Sequence, residues 1–182
     1  MEVLSEWPSS ATSGRLRSTA FGALRCGLLT SVPMHILLRV GEGSTGKPVF
    51  EPVHAASSGG SRYRIEFTPG LAYGIAAGDE IELGPGGVYT VTERAGNVAV
   101  RVFSASVFSG VQHDLIAEVE DLGGRLDGSI DKGLAFTIPL RAGFAAIENV
   151  FTRFASHTRC EWEYGNVYAE DGTALGWWEG ST

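Results

Sequence analysis

Two stretches of helical periodicity, each bracketed by strand-like alternation, constrain this chain more than any other feature. Val98, Val100 and Val102 alternate through Asn97–Phe103, the pattern of a strand. Val111, Leu115, Val119 and Leu122 then fall at i, i+4, i+8 and i+11, a helical stripe. Ser109 stands three residues before Gln112, a capping-box arrangement at the helix start. Gly123-Gly124 supplies a left-handed stop. Strands are expected around Arg125–Ser129 and Leu134–Pro139, with Leu134, Phe136 and Ile138 on one face. Phe144, Ile147, Phe151 and Phe154 make a second helical stripe, and Cys160–Tyr168 reads as the last strand. The order β-α-β-β-α-β is that of a ferredoxin-like sandwich. Each stripe can bury about four side chains, at roughly 1.5–3 kcal/mol apiece. Both helices should cover one face of the sheet. The other face, with Ala99, Arg101, Phe103, Ala135 and Thr137, is either covered by the first half of the chain or free to bind. No buried polar machinery is expected. Glu118, Glu120 and Asp121 crowd the C-terminal end of the first helix, where the dipole disfavours them by tenths of a kcal/mol each.

The preceding segment alternates strand and turn. Ile36, Leu38 and Val40 alternate in His35–Val40, and Pro48–Ala55 follows the turn at Gly41–Gly46. In Arg62–Thr68, Tyr63, Ile65 and Phe67 share one face, with Arg62, Arg64 and Glu66 on the other. Glu80–Leu83 and Val88–Thr92 flank Gly84-Pro85-Gly86-Gly87, a hairpin loop lacking the Lys-Ser/Thr and helix of a phosphate loop. The chain is therefore expected to be α+β. Residues 34–93 form a small antiparallel sheet or barrel, and residues 94–182 form the ferredoxin-like unit with an aromatic extension. Residues 1–33 read as a disordered tail or an upstream start, with Met34 directly before the first convincing strand. Arg25 interrupts the apolar stretch Phe21–Val32, which argues against a secretory signal.

Charge narrows the function classes. The formal net charge is −7, and Lys47 and Lys132 are the only lysines, so no basic stripe for nucleic acid is expected. No apolar run reaches the length of a membrane span. Two cysteines, Cys26 and Cys160, do not make a disulfide framework, which points to a reducing, cytoplasmic setting.

The run RYRIEFTPGLAYGIAAGDEIEL, with GNVAVRVF, LGGRLDG and GLAFTIP after it, resembles a bacterial family of unknown function, the one numbered 4265. Arg62, Tyr63, Gly74, Gly78, Asp79, Gly123 and Gly124 carry the likeness over residues 34–168. The resemblance implies no activity that can be carried over residue by residue. It permits a partner-binding protein, including an immunity-type role against a toxin.

Candidate chemistry is sparse. His157 and Cys160 sit three apart without further ligands, and His113 and Asp114 point to different helix faces. Asp127, Asp131, Asp79, Glu80 and Glu82 lie at or near turns without calcium-loop spacing, so turn formation is the simpler reading. No catalytic residue, cofactor or metal ligand is expected. Trp162, Tyr164, Tyr168, Trp177 and Trp178 crowd together, interleaved with Glu161, Glu163, Glu170 and Asp171. Trp177 and Trp178, adjacent in an extended segment, would face opposite ways. Glu161, Trp162, Glu163, Tyr164, Tyr168, Trp177 and Trp178 are thus the expected surface for a protein partner, plausibly a basic one. A small-molecule-sensing domain with a pocket between the halves is the alternative, and a carboxylate- or metal-dependent hydrolase the second alternative.

Overall fold

The computed structural model describes residues 2–3, 33–108 and 110–179. Its strands are β1 (Glu2–Val3), β2 (Pro33–Glu42), β3 (Pro48–Gly59), β4 (Arg62–Ile65), β5 (Glu80–Leu83), β6 (Tyr89–Glu93), β7 (Asn97–Phe103), β8 (Arg125–Ile130), β9 (Gly133–Pro139) and β10 (Glu161–Tyr164). Its α-helices are α1 (Gln112–Asp121) and α2 (Phe144–Thr158). The class is α+β.

β2 to β6 form an antiparallel meander. β3 is long enough to serve two neighbours on one edge: β4 pairs with its end, and β1 pairs in parallel with Val49 and Phe50 near its start. Glu2 and Val3 thus join the sheet, although the sequence pattern left all of residues 1–33 outside it; residues 4–32 lie outside the described residues. The inner face buries Ile36, Leu38, Val53, Ala55, Ile65, Ile75 and Ile81. The Gly84–Gly87 loop closes its hairpin with Gly84 N–H donating to the Val88 carbonyl at 2.7 Å. At Gly87 a Cβ would stand 2.9 Å from the Leu37 carbonyl oxygen, so this loop packs directly on β2 and curls the sheet. The strand expected over Arg62–Thr68 ends at Ile65, and Phe67 is exposed.

The second sheet has the order β10-β7-β9-β8, wholly antiparallel, which is the ferredoxin-like arrangement. Leu115 and Val119 of α1 and Ile147, Val150 and Phe151 of α2 are buried against Val98, Val100, Val102, Leu134, Phe136 and Ile138. The capping-box expectation is not met as drawn: α1 begins at Gln112 behind Val111 with no side-chain cap, and Ser109 lies outside the described residues. Gly123 does take the left-handed conformation, φ 76°, and Gly124 N–H returns to the Val119 carbonyl at 2.9 Å. The acidic end of α1 is relieved across the helix pair, where Glu118 meets Arg153 of α2. The last strand is shorter than expected. β10 stops at Tyr164 because Gly165, Asn166 and Val167 turn inward and are buried.

The face of this sheet away from the helices is covered. Ala99, Arg101, Ala135 and Thr137 are buried there, and Phe103 is exposed. The cover is the connection between β4 and β5, which overturns the expectation of an interior without polar groups. Glu51, Thr68, Asp79, Arg101, Asp127, Thr137 and Asn166 are all buried. Buried polar groups survive only when paired, and most of these are. Asp127 accepts the Thr68 N–H at 2.7 Å and the Thr137 hydroxyl, and pairs with Arg125 at 2.6 Å. It is a strut between the halves rather than a turn former. Asp79 does form its turn, accepting the Ala76 N–H at 3.0 Å, and also binds the Ala95 N–H and Arg94 at 2.9 Å.

Candidate functional site

An open concave surface lies where the β4–β5 connection meets β10. Glu51 builds its foundation from β3: its carboxylate accepts the backbone N–H groups of Gly70, Leu71 and Ala72 at 2.6, 3.1 and 2.7 Å. Burial pushes the Glu51 carboxyl above the ordinary carboxylate range, and those three N–H groups and Arg101 oppose the shift. The three donors fix the loop that presents Tyr73. Tyr89 adds a second tie, its hydroxyl donating to the Tyr73 carbonyl at 2.6 Å.

Arg101 enters from β7, only 1 % exposed. Its guanidinium carbon lies 4.1 Å from the Tyr73 ring centre, and its Nη1 donates to the Gly70 carbonyl at 3.2 Å. Glu163 Oε1 is 3.1 Å from Arg101 Nε, a charge contact off the N–H axis that leaves Nε and Nη2 without a directed hydrogen bond. The Tyr73 hydroxyl completes the unit, donating to both Glu163 oxygens at 3.0 Å. Burial first, and that hydrogen bond second, hold the Tyr73 phenol above its ordinary pKa. Gly165 is required beside this unit, since a Cβ there would stand 3.0 Å from Ala99 Cβ and 3.2 Å from Arg101 Nε.

Over this floor opens a groove of ≈ 490 Å³ lined by Tyr73, Trp162, Glu163, Tyr164, Tyr168, Ala169, Glu170 and Gly172. A second groove of ≈ 480 Å³, containing Arg39, Val88 and Tyr89, shares Tyr73 and Glu170 with it. Four of the residues expected from sequence, Trp162, Glu163, Tyr164 and Tyr168, therefore meet in one concavity. Trp162 and Tyr164 pack edge to face at 5.2 Å, and Tyr168 lies 6.4 Å from Tyr164. Tyr164 also reaches Glu148 at 3.3 Å, and burial together with that carboxylate raises its pKa.

Glu161 is exposed at the start of β10 and does not line the groove. Trp177 and Trp178 are half-buried on the helix-side core instead. They sit in a turn after Gly176, not in an extended segment, so both reach the same core. Trp177 Nε1 donates to the Asn166 carbonyl at 2.6 Å, and Trp178 meets Phe144 edge on at 5.5 Å. His157 Nδ1 contacts its own helix at the Arg153 carbonyl, 2.7 Å away, while Cys160 is a buried free thiol. Among the described residues no group of three or more His, Cys, Asp and Glu is placed to hold a metal ion. None of their helices is long and apolar enough to cross a membrane.

Tyr73, Glu170, Glu51 and Arg101 escaped the sequence reading as site residues. One signal was present: an arginine at the second valine-flanked position of VAVRVF must either face solvent or be paired inside.

Residues 51–162 match the family model described as a domain of unknown function, DUF4265. The chain belongs to that family. The matched span includes Glu51, Tyr73, Arg101 and Trp162, so most of the groove floor lies inside the family region, whereas Glu163 and the residues to Glu170 follow it. No curated protein matches the sequence. Among solved structures the chain is similar to a hypothetical protein from Neisseria gonorrhoeae, with a TM-score of 0.57 and 12% identity. That likeness covers 75% of this chain and 94% of the other, and it shows a shared fold.

Proposed function

We propose that the chain is a non-enzymatic binding module whose groove takes a cationic side chain, lysine or arginine, from a basic protein partner. The observation that supports this is the pairing of aromatic walls, Trp162, Tyr164 and Tyr168, with Glu170 in one concavity, above a Tyr73–Glu163 floor that already holds one cation, Arg101. Aromatic faces attract a cation through their quadrupoles, and carboxylates nearby add a direct charge interaction. Tyr168 is 44% exposed, so one wall is free to close on an incoming side chain. The groove presents carboxylates and phenols but neither a nucleophile–base pair nor a histidine, which favours recognition over hydrolysis. Immunity-type neutralisation of a basic toxin is one form this reading takes.

The test is titration of the full chain with Lys- and Arg-rich peptides, read by tryptophan fluorescence. Binding should weaken with salt and lose about tenfold or more in Tyr168→Ala or Glu170→Gln. Binding that ignores both substitutions, or no binding to any basic peptide, overturns the proposal.

A further inference from the structure

A different face of the first sheet carries an arrangement the groove does not use. His35 on β2 and His54 on β3 are direct cross-strand partners in the antiparallel register. Ile36, Val53 and Ala55 point inward, which sets both imidazoles on the outer face, with His35 exposed. Direct cross-strand partners have Cβ atoms close enough for two imidazoles to reach one ion. Here a hydrogen bond joins the two Nε2 atoms at 3.2 Å, with the ring centres 4.1 Å apart, and a metal shared by both would take the place of its proton. Rings meeting head on at that separation would bring their nitrogens far closer. The imidazoles therefore stand side by side, with their Nε2 edges drawn together.

That spacing has a chemical meaning. Late first-row metals bind imidazole nitrogen at about 2.0–2.1 Å. A metal at that distance from both Nε2 atoms would see them at an angle of roughly 100°, between the square-planar and tetrahedral values. Two further observations suit a cation. Phe67 packs edge on against His54 at 5.4 Å and restrains that ring. Glu66 lies beside His54, its N–H donating to the His54 carbonyl at 3.0 Å, so an anionic residue neighbours the pair.

We infer that His35 and His54 form a two-imidazole chelate for a divalent late first-row transition metal such as Zn²⁺ or Ni²⁺. The remaining coordination positions are open to water or to donors from a second molecule. Imidazole is a borderline ligand that favours these metals over Mg²⁺ or Ca²⁺, which prefer oxygen. The site is separate from the groove, and neither histidine lines it.

The experiment is calorimetric titration of the full chain with Zn²⁺ at pH 7.5. Saturable binding is expected, and either His35→Gln or His54→Gln should weaken it on the order of a hundredfold, because losing one donor removes the chelate advantage. His113→Gln, on α1, should leave it unchanged. Both target rings lie outside the cores, and thermal melting of each variant without metal checks that it folds. In the unaltered chain, the Nε2 resonances of both histidines should shift together as Zn²⁺ is added. Absence of saturable binding, binding that survives both substitutions, or unmoved Nε2 resonances would each overturn the inference.

Discussion

The guanidinium of Arg101 stacks 4.1 Å from the centre of the Tyr73 ring, joining a strand of the second sheet to a loop of the first. Glu163 Oε1 lies 3.1 Å from Arg101 Nε, and the Arg101 charge also favours ionised Glu51, though less than the three backbone N–H groups do. Arg101→Ala should therefore cost about 2–4 kcal/mol, since it empties a buried stack on Tyr73 and leaves Glu163 without its counter-charge. Arg101→Lys keeps the charge but loses the planar stack, and should fall between. Urea unfolding of the three proteins measures the order. A loss below about 1 kcal/mol for the alanine variant would mean that the stack does not brace the two sheets.

Two glycines are held by space, and one of them by backbone angle as well. Gly78 has φ 90°, and a Cβ there would lie 2.6 Å from Ala95 Cβ. At Gly124 a Cβ would meet the Thr137 carbonyl oxygen and Val119 Cγ1 at 2.8 Å. Each Gly→Ala change should cost about 1–3 kcal/mol through overpacking. Gly46, with φ 72° and open space around it, should lose only the left-handed strain, about 1–2 kcal/mol at most. Thermal melts of the three variants test that ranking.

The legible part of the fold was periodic and the illegible part was not. Leu115, Val119, Ile147 and Phe151 declared their buried faces by helical spacing, and Val98, Val100 and Val102 by alternation. The polar layer left no such pattern. Glu51 is one carboxylate in a strand, and only the loop brought 20 residues later by β4 supplies its three donors. Asp127 depends in the same way on Thr68, 59 residues away. Half of the groove was legible because Trp162, Glu163, Tyr164 and Tyr168 are close in sequence. Tyr73 was not, because it arrives from the other sheet.

Tyr89 gives a pH prediction. Burial, and then the charge of Glu51, push its phenol up to about 12. The folded-state value lies above the unfolded one, near 10, so folding favours the protonated form. The stability this contributes is complete below pH 10 and is lost as pH rises through about 12. Tyr73 and Tyr164 are pushed up as well, so phenolate absorbance should show Tyr89→Phe losing one tyrosine from the late-titrating group, the one near 12. The substitution should also flatten the alkaline fall in stability between pH 10 and 12. A Tyr89 that ionises near pH 10 would contradict the buried hydrogen bond to Tyr73.

The aromatic cluster at the C-terminal end divides into two groups with opposite signatures. Trp177 ties the chain to Asn166 through a 2.6 Å hydrogen bond, and Arg94 lies 5.4 Å over its ring. Trp177→Phe removes the donor and leaves the Asn166 carbonyl, on a fully buried residue, unpaired, at about 1–3 kcal/mol. Trp178→Ala, stripping the half-buried ring from Phe144, should cost up to about 3 kcal/mol. Tyr168 stands 44% exposed over the groove, so Tyr168→Ala should change stability by no more than about 0.5 kcal/mol. Urea melts of the three variants, run beside basic-peptide titrations, should sort them cleanly. The tryptophan variants lose stability, while the tyrosine variant loses binding alone. The reverse order would move Trp177 and Trp178 from the framework to the partner surface.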